Sequence, residues 1–260
     1  MGKNQSVLVL GVGPEQGLGV ALCKTFAEEG YQVFGCGRNQ ENMQALDKLT
    51  ISNGSIKGIV GDVTQQADIA NIFKHIDESG NDLVSVIYNA GNNNAKPFLE
   101  MDLEFFQELW DVCAKGAFLV SQEAIPRLVD GGGSLIFTGA TASIRSKPPF
   151  TAFAAAKSAE RSLAQGLARE FGPQGVHVAH VIVDGIIDGD IVIIKKTEVA
   201  NNGEIVVAYV NGEATLKRYY LGKNGVELHP RNKKYNTIHV TTEDELYIQG
   251  QVLGVFREYN

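Results

Sequence analysis

The sequence is short of the residues that mark membrane, secreted and nucleic-acid-binding proteins. It has three cysteines in 260 residues, Cys23, Cys36 and Cys113. Their odd number and their spacing exclude a disulfide framework and a cysteine-ligated metal site, so reduced thiols are expected. No uninterrupted apolar run reaches the ~20 residues of a membrane-spanning helix. No block of Lys and Arg occurs, and 23 basic against 30 acidic residues give a net charge of −7. That balance gives no electrostatic footprint for nucleic acid, which is not expected as a partner. The opening MGKNQSVLVLGVG runs directly into a strand without the pattern of a signal peptide. The expectation is a cytoplasmic protein. There is no internal repeat and no low-complexity linker.

One further absence divides the chain. Up to Asp184 apolar strands alternate with helical patterns, and after Asp190 no helical periodicity returns. Six of the eight tyrosines follow position 200, whereas the alanine-rich helical stretches all precede position 172. At 44% hydrophobic and 20% charged residues, the composition still supports a packed core throughout.

In the first part, strands are expected at Ser6–Leu10, Tyr31–Cys36, Ile56–Val60, Leu83–Tyr88, Ser134–Thr138 and Val176–Val183. Between them lie helical patterns. Leu18, Leu22 and Phe26 recur at helical spacing before a capping Gly30, and Ile69, Ile72, Phe73 and Ile76 do the same. Further helices are expected over Phe105 to Leu119 and Ala155 to Glu170. Alternation of this kind implies a parallel sheet covered on both faces. Gly13, Gly17 and Gly19, in GPEQGLG, fall between the first strand and the first helix. Lacking side chains, they let the backbone turn tightly and approach a pyrophosphate, which meets amide groups at the helix N-terminus.

These elements, with GDV at 61–63, NAG at 89–91, the Lys157 helix with its preceding aromatic and FGPQGVHVAHV at 171–181, occur in the order of one family. Residues 1–184 resemble a short-chain dehydrogenase/reductase. The resemblance implies a Rossmann-like, doubly wound α/β sheet that binds a nicotinamide dinucleotide. It implies that Gly13, Gly17, Leu18 and Gly19 cradle the phosphates and that Asp62 and Val63 lie beside the adenine. Asn89, Ala90 and Gly91 would follow along the cofactor, and Lys157 would hold the nicotinamide ribose. The second strand ends CGRN, with Arg38 and no carboxylate. A guanidinium suits a 2′-phosphate, so NADP is expected, with NAD as the alternative.

The resemblance also implies an Asn-Ser-Tyr-Lys group for carbonyl reduction, and three of its four positions depart. Phe153 stands where the Tyr belongs, Ala140 where the Ser belongs and Cys113 where the Asn belongs. Thr141, Ser143 and Thr151 are the nearby hydroxyls that could substitute. General acid catalysis is worth roughly 10²–10⁴ in rate, so impaired or altered activity is expected, and no catalytic residue is assigned.

The last part reads as antiparallel β structure. Asn211–Gly212 separates two alternating runs as a two-residue hairpin does, and a second hairpin is expected at Gly222–Gly225. GIIDGDIVIIKK, NNGEIVVAYVNGEATLKRYY, VELHP and LYIQGQVLGVFRE resemble, in order, the C-terminal part of LexA-type self-cleaving repressors and their UmuD relatives. That resemblance implies a Ser-Lys pair, with the lysine at Lys217 and the serine at the place His180 occupies. No serine lies between Gly172 and Asp190, so self-cleavage is not expected. The role left to this segment is association, as a homodimer formed through strand edges, with the long Leu246–Arg257 run as one such edge.

The two patterns meet near Asp184–Gly185. The chain thus reads as a dinucleotide-binding part at 1–184, lacking its last strand, and a β-rich part at 185–260, a recombined or engineered chimera. Only Asp184 to Asp190 separates Val183 from Ile191, too little for a parallel crossover. Ile191–Ile194 is therefore expected to turn back antiparallel onto His177–Val183, or else Val176–Val183 is expected to pair with another chain.

Overall fold

The computed structural model describes residues 5–183, 190–222, 225–230 and 236–257. It divides into two compact units that meet in sequence at Val181 and Ile182. The expected junction at Asp184–Gly185 lies outside the described residues.

The first unit is built on β1 (Gln5–Leu10), β2 (Gln32–Gly37), β3 (Ser55–Val60), β4 (Asp82–Tyr88), β5 (Ser134–Ala140) and β6 (His177–Val183). They form one sheet in the order β3-β2-β1-β4-β5-β6, parallel across the pairs β3–β2, β2–β1, β1–β4 and β4–β5. Strand order reverses between β1 and β4, so the carboxyl ends of these strands open a crevice there. Alternation along β1 assigns its side chains to two layers. Leu8 and Leu10 join one buried cluster with α3 (Gln66–Glu78) and α5 (Gly116–Gly131). Val7 and Val9 join a second with α1 (Leu18–Glu28) and α2 (Gln40–Asp47). A strand that is apolar on both faces is what two helical layers require.

Helix α3 buries Ile69, Ile72, Phe73 and Ile76, as its spacing predicts. Helix α1 differs in its face: it buries Gly19, Val20, Cys23 and Ala27, while Leu22 and Phe26 are only partly covered. Small residues let this helix sit close to β1 and β2, and the longer side chains flank the contact. Helix α4 (Leu103–Trp110) runs through a π-helical turn, Asp111–Lys115, into α5. The buried Tyr88 hydroxyl donates to the Val112 carbonyl within that turn, satisfying a backbone acceptor that the widened turn frees. Helix α6 (Thr151–Phe171) then leads to β6. None of the helices among the described residues is long and apolar enough to cross a membrane.

The second unit contains β7 (Asp190–Lys196), β8 (Ile205–Val210), β9 (Glu213–Gly222), β10 (Gly225–His229), β11 (Ile238–Val240) and β12 (Leu246–Arg257). They form a separate sheet, ordered β11-β10-β9-β8-β12-β7, with each neighbouring pair antiparallel. The β8–β9 turn is the expected two-residue hairpin. Asn211 and Gly212 take φ of 51° and 86°, the mirror-image turn that matches strand twist. Gly222 pairs with Gly225, and residues 223 and 224 between them lie outside the described residues.

Two expectations are corrected here. Ile191–Ile194 does not pair with His177–Val183; it lies in β7, which pairs with β12 from Asp190↔Arg257 to Lys196↔Gly250. The long β12 offers β7 a ladder along its whole length, and β6 ends its own sheet with β5 as its strand neighbour among the described residues. Nor is Leu246–Arg257 an edge: β12 lies between β8 and β7, with backbone pairing on both sides.

Candidate functional site

At the β1–β4 crevice lies a cleft of about 610 Å³. Its walls come from the loops that follow β1, β2, β3 and β4, with Glu108, Asp111 and Val112 closing one side. Of the residues expected at a dinucleotide site, Gly13, Arg38, Asp62, Val63, Asn89, Ala90 and Gly91 line it. Gly17, Leu18 and Gly19 stand at the start of α1 behind the loop, and Lys157 is nearly sealed, 4% exposed.

The glycines divide by task. The loop is strapped to β2, since the Gly11 and Val12 amides donate to the Cys36 carbonyl at 2.9 and 2.8 Å. Gly11 has φ of +86°, and a Cβ there would lie 2.4 Å from the Ala90 backbone nitrogen. A Cβ on Gly37 would lie 2.1 Å from the Val12 carbonyl oxygen, and one on Gly19 2.8 Å from that of Gly11. These three are packing requirements. Around Gly13 a Cβ would meet nothing within 4 Å, because that position faces the open cleft. Sequence reading missed Gly11 and Gly37; the GVG that follows β1 and the CG that ends β2 were the available signals. At Gly17 helix α1 begins with no side-chain cap and no acidic residue in its first turn, so its amide groups and dipole favour an anion.

The rim is fixed by polar contacts. Asp62 accepts from the Thr64 amide at 2.9 Å, and its own amide donates to Asp68 at 2.9 Å. The Asn89 side chain donates to the Gly11 carbonyl at 3.0 Å, tying β4 to the glycine loop. Arg38 is exposed on the rim. Its neighbour Asn39 caps α2, accepting from the Asn42 amide at 2.9 Å. No carboxylate ends β2. Cys36, against the cleft, has its thiol pushed up to about 12 by burial and by the nearby Asp68 and Asp62 charges, so it is a packed thiol and not a nucleophile.

The region where the resemblance implies the proton-transfer residues is apolar. Phe153, Cys113 and Ala140 belong to one hydrophobic cluster with Leu109, Ala152, Ala156 and surrounding aromatics. The three positions that depart from the family pattern thus pack together. Burial also raises the Cys113 thiol pKa, with Lys157 opposing the shift. Among the hydroxyls that could substitute, Ser143 is buried with its Oγ unpaired, and Thr151 is exposed at the start of α6. None of Thr141, Ser143 and Thr151 lines the cleft. Lys157 donates to the Thr138 carbonyl at 2.9 Å and to both carboxylate oxygens of Glu160, at 2.9 and 3.1 Å. His180 had no signal in the sequence, because a polar contact across twenty residues has no periodicity; Glu160 stands at i,i+3 from Lys157, and its spacing was the available signal.

The second unit holds the other incomplete set. Lys217, on β9, donates to the Thr215 hydroxyl at 2.7 Å, and desolvation lowers its pKa. No serine occurs anywhere after Ser162, and the place implied for a nucleophile is His180, which lies on β6 in the first unit.

Comparison with known proteins follows the same division. The family profile described as short chain dehydrogenase matches residues 6–198, and that described as Peptidase S24-like matches residues 181–253. The chain is 31% identical over 167 residues to "Oxidoreductase asL5" of Sarocladium schorii, covering 64% of this chain and 66% of that protein. It is 46% identical over 79 residues to a LexA repressor of Syntrophotalea carbinolica, covering 30% of this chain and 39% of the repressor. It therefore spans just under two thirds of the first relative and well under half of the second. Among solved structures, a short-chain dehydrogenase from Rhodopseudomonas palustris superposes with a TM-score of 0.64 at 34% identity, covering 69% of this chain and 84% of that one.

Proposed function

The chain belongs to the short-chain dehydrogenase family, with a LexA-like segment fused after it, and from that premise we propose that it binds a nicotinamide dinucleotide, NADP in preference to NAD, on a site whose usual proton donor is missing. The observation that carries this reading is the open cradle at Gly13 beside a cluster of Phe153, Ala140 and Cys113: the binding half of the site is built and the proton-transfer half is apolar.

The residues present fit such a cofactor. The loop Gly11–Gly13 and the N-terminus of α1 would hold the pyrophosphate, with Gly13 leaving room for it. Arg38 would pair with a 2′-phosphate in the bidentate manner of a guanidinium. Asp62 and Val63 would border the adenine, and Asn89 to Gly91 the middle of the molecule. When bound, such a cofactor supplies hydride to a carbonyl. This chain presents no hydroxyl at 153 or 140 to polarise that carbonyl or give it a proton, so carbonyl reduction is slow or absent.

A second reading is a non-catalytic interaction protein, favoured by the incompleteness of both sets: no serine after Ser162 for Lys217, and no tyrosine for Lys157. In that reading the chain self-associates through a strand edge. With β12 enclosed, the edge strands among the described residues are β3, β6, β7 and β11. Three buried free thiols accord with a reducing compartment, and we place the protein in the cytoplasm.

NADPH fluorescence titration with a ketone panel tests both. The expected result is NADPH binding tighter than NADH, reversed by Arg38→Asp, with turnover at or near background. Equal affinities would remove the role of Arg38, no binding would remove the cofactor, and strong turnover would remove the impaired site.

A further inference from the structure

Lys157 is surrounded by protein acceptors. Its ammonium carries three N–H donors, and within hydrogen-bond distance stand the Thr138 carbonyl and the two oxygens of Glu160. The Glu160 side chain is fully buried and that of Lys157 is 5% exposed. The two lie three residues apart on α6, with Glu160 one turn further from Phe153. The opposite side of the carboxylate faces β6, where His180 Nε2 is 3.5 Å from Glu160 Oε1. Strand β5 makes room for that ring: a Cβ on Gly139 would fall 2.1 Å from His180 Cε1. Three elements of the first unit thus converge on one buried ion pair.

A buried ammonium without a counter-charge is strongly unfavourable. At position 153 a phenyl ring offers neither a counter-charge nor a hydroxyl. Glu160 supplies the missing charge, and the arrangement has a second consequence. Nζ stays close to the cleft, 3.6 Å from where a side chain on Gly91 would begin, yet its donors are already used.

We propose that Glu160, flanked by His180 over Gly139, is a positioning residue that holds the Lys157 ammonium back from the dinucleotide, so that Lys157 serves as half of a buried ion pair and not as a cofactor contact. The binding consequence rests on the dinucleotide reading above; the ion pair itself does not.

The test uses the full chain, with NADPH affinity by fluorescence titration and unfolding by circular dichroism. A charged hydrogen bond that works on a ligand is worth roughly tenfold or more in affinity. Lys157→Met is expected to change NADPH affinity by less than about threefold, because no such bond is lost. Glu160→Gln, which keeps the shape and removes the charge, is expected to free a donor and tighten NADPH by about threefold or more, a gain that a merely structural residue would not give. In the unfolding arm, Lys157→Met and Glu160→Leu each lower the midpoint, and the double variant recovers most of the summed loss. A tenfold loss of NADPH affinity in Lys157→Met overturns the proposal, and so does unchanged or weaker binding in Glu160→Gln. Additive losses in the double variant overturn the ion pair. If the parent chain binds no NADPH, the cofactor reading fails, and the ion pair is then decided by the unfolding arm alone.

Discussion

The two units differ in which parts of the implied sites they contain. The first retains a cradle made of backbone: Gly11, Gly13, Gly19 and the start of α1. It lacks a side-chain hydroxyl at 153 and 140. The second carries Lys217 on β9, with no serine in the sequence after Ser162. A cradle formed by backbone depends on the same glycines that the packing of the loop requires. Chemistry carried by one side-chain atom can vanish through a single residue while the fold stays intact. The units also differ in depth. The first buries two layers of apolar side chains around its sheet, including Phe73, Tyr88 and Phe137. In the second the buried cluster is smaller and formed around Val206, Ala208, Leu228 and Val240.

The largest effect that would sharpen this contrast is expected from Gly11→Ala. The new methyl would meet the Ala90 backbone at 2.4 Å in a residue with φ of +86°, at a cost of about 3 kcal/mol or more. The first unit should lose its helical circular dichroism on mild heating while the second keeps its own transition. Gly13→Ala, with nothing within 4 Å, should leave both transitions in place and weaken only NADPH binding.

Leu228→Ala probes the other side. Truncating this buried leucine should cost about 2–5 kcal/mol, read by denaturant unfolding as a shift in the second transition alone. If both transitions moved together, the two units would be one cooperative structure and the comparison would break.

Thiol ionisation in alkali should weaken the first unit, which holds all three cysteines. Burial raises the Cys23 and Cys36 thiols from 9.0 to about 12. The unfolded chain therefore releases these protons at lower pH than the folded one. Stability from this source is full below pH 9.0 and is lost progressively as pH rises toward 12, by about 1.4 kcal/mol per pH unit for each thiol. Denaturant midpoints measured across that range should fall for the first transition, and Cys36→Ala should flatten the slope. A pH-independent midpoint would contradict it.

The smallest expected change comes from Phe153→Tyr. A hydroxyl placed there still faces Ala140 and Cys113 in an apolar cluster, with Lys157 held by Glu160. Ketone reduction should stay near background in a coupled NADPH assay. Strong activity from this one substitution would show the site to be nearer completion than its packing indicates.

The alternating pattern of the sequence determined the six parallel strands, the helices between them and the Asn211–Gly212 hairpin, because each of these follows from spacing or turn chemistry within a few residues. The composition of short segments likewise settled that serine is missing ahead of Lys217 and tyrosine ahead of Lys157. What only the tertiary structure decided are choices between partners far apart in the chain. Strand β7 could close on β6 or on β12, and it takes β12, since backbone donors and acceptors are alike and the available ladder selects the pairing. Gly11 and Gly37 looked like any loop glycine until Ala90 and Val12 were seen to occupy the space of their side chains. Glu160, three residues after Lys157 on α6, is buried with it, and His180 from β6 comes to 3.5 Å of the same carboxylate. A buried charge must be met by an opposite charge; the i,i+3 spacing offers the partner, but only the packing of β5 and β6 against α6 seals the pair from water.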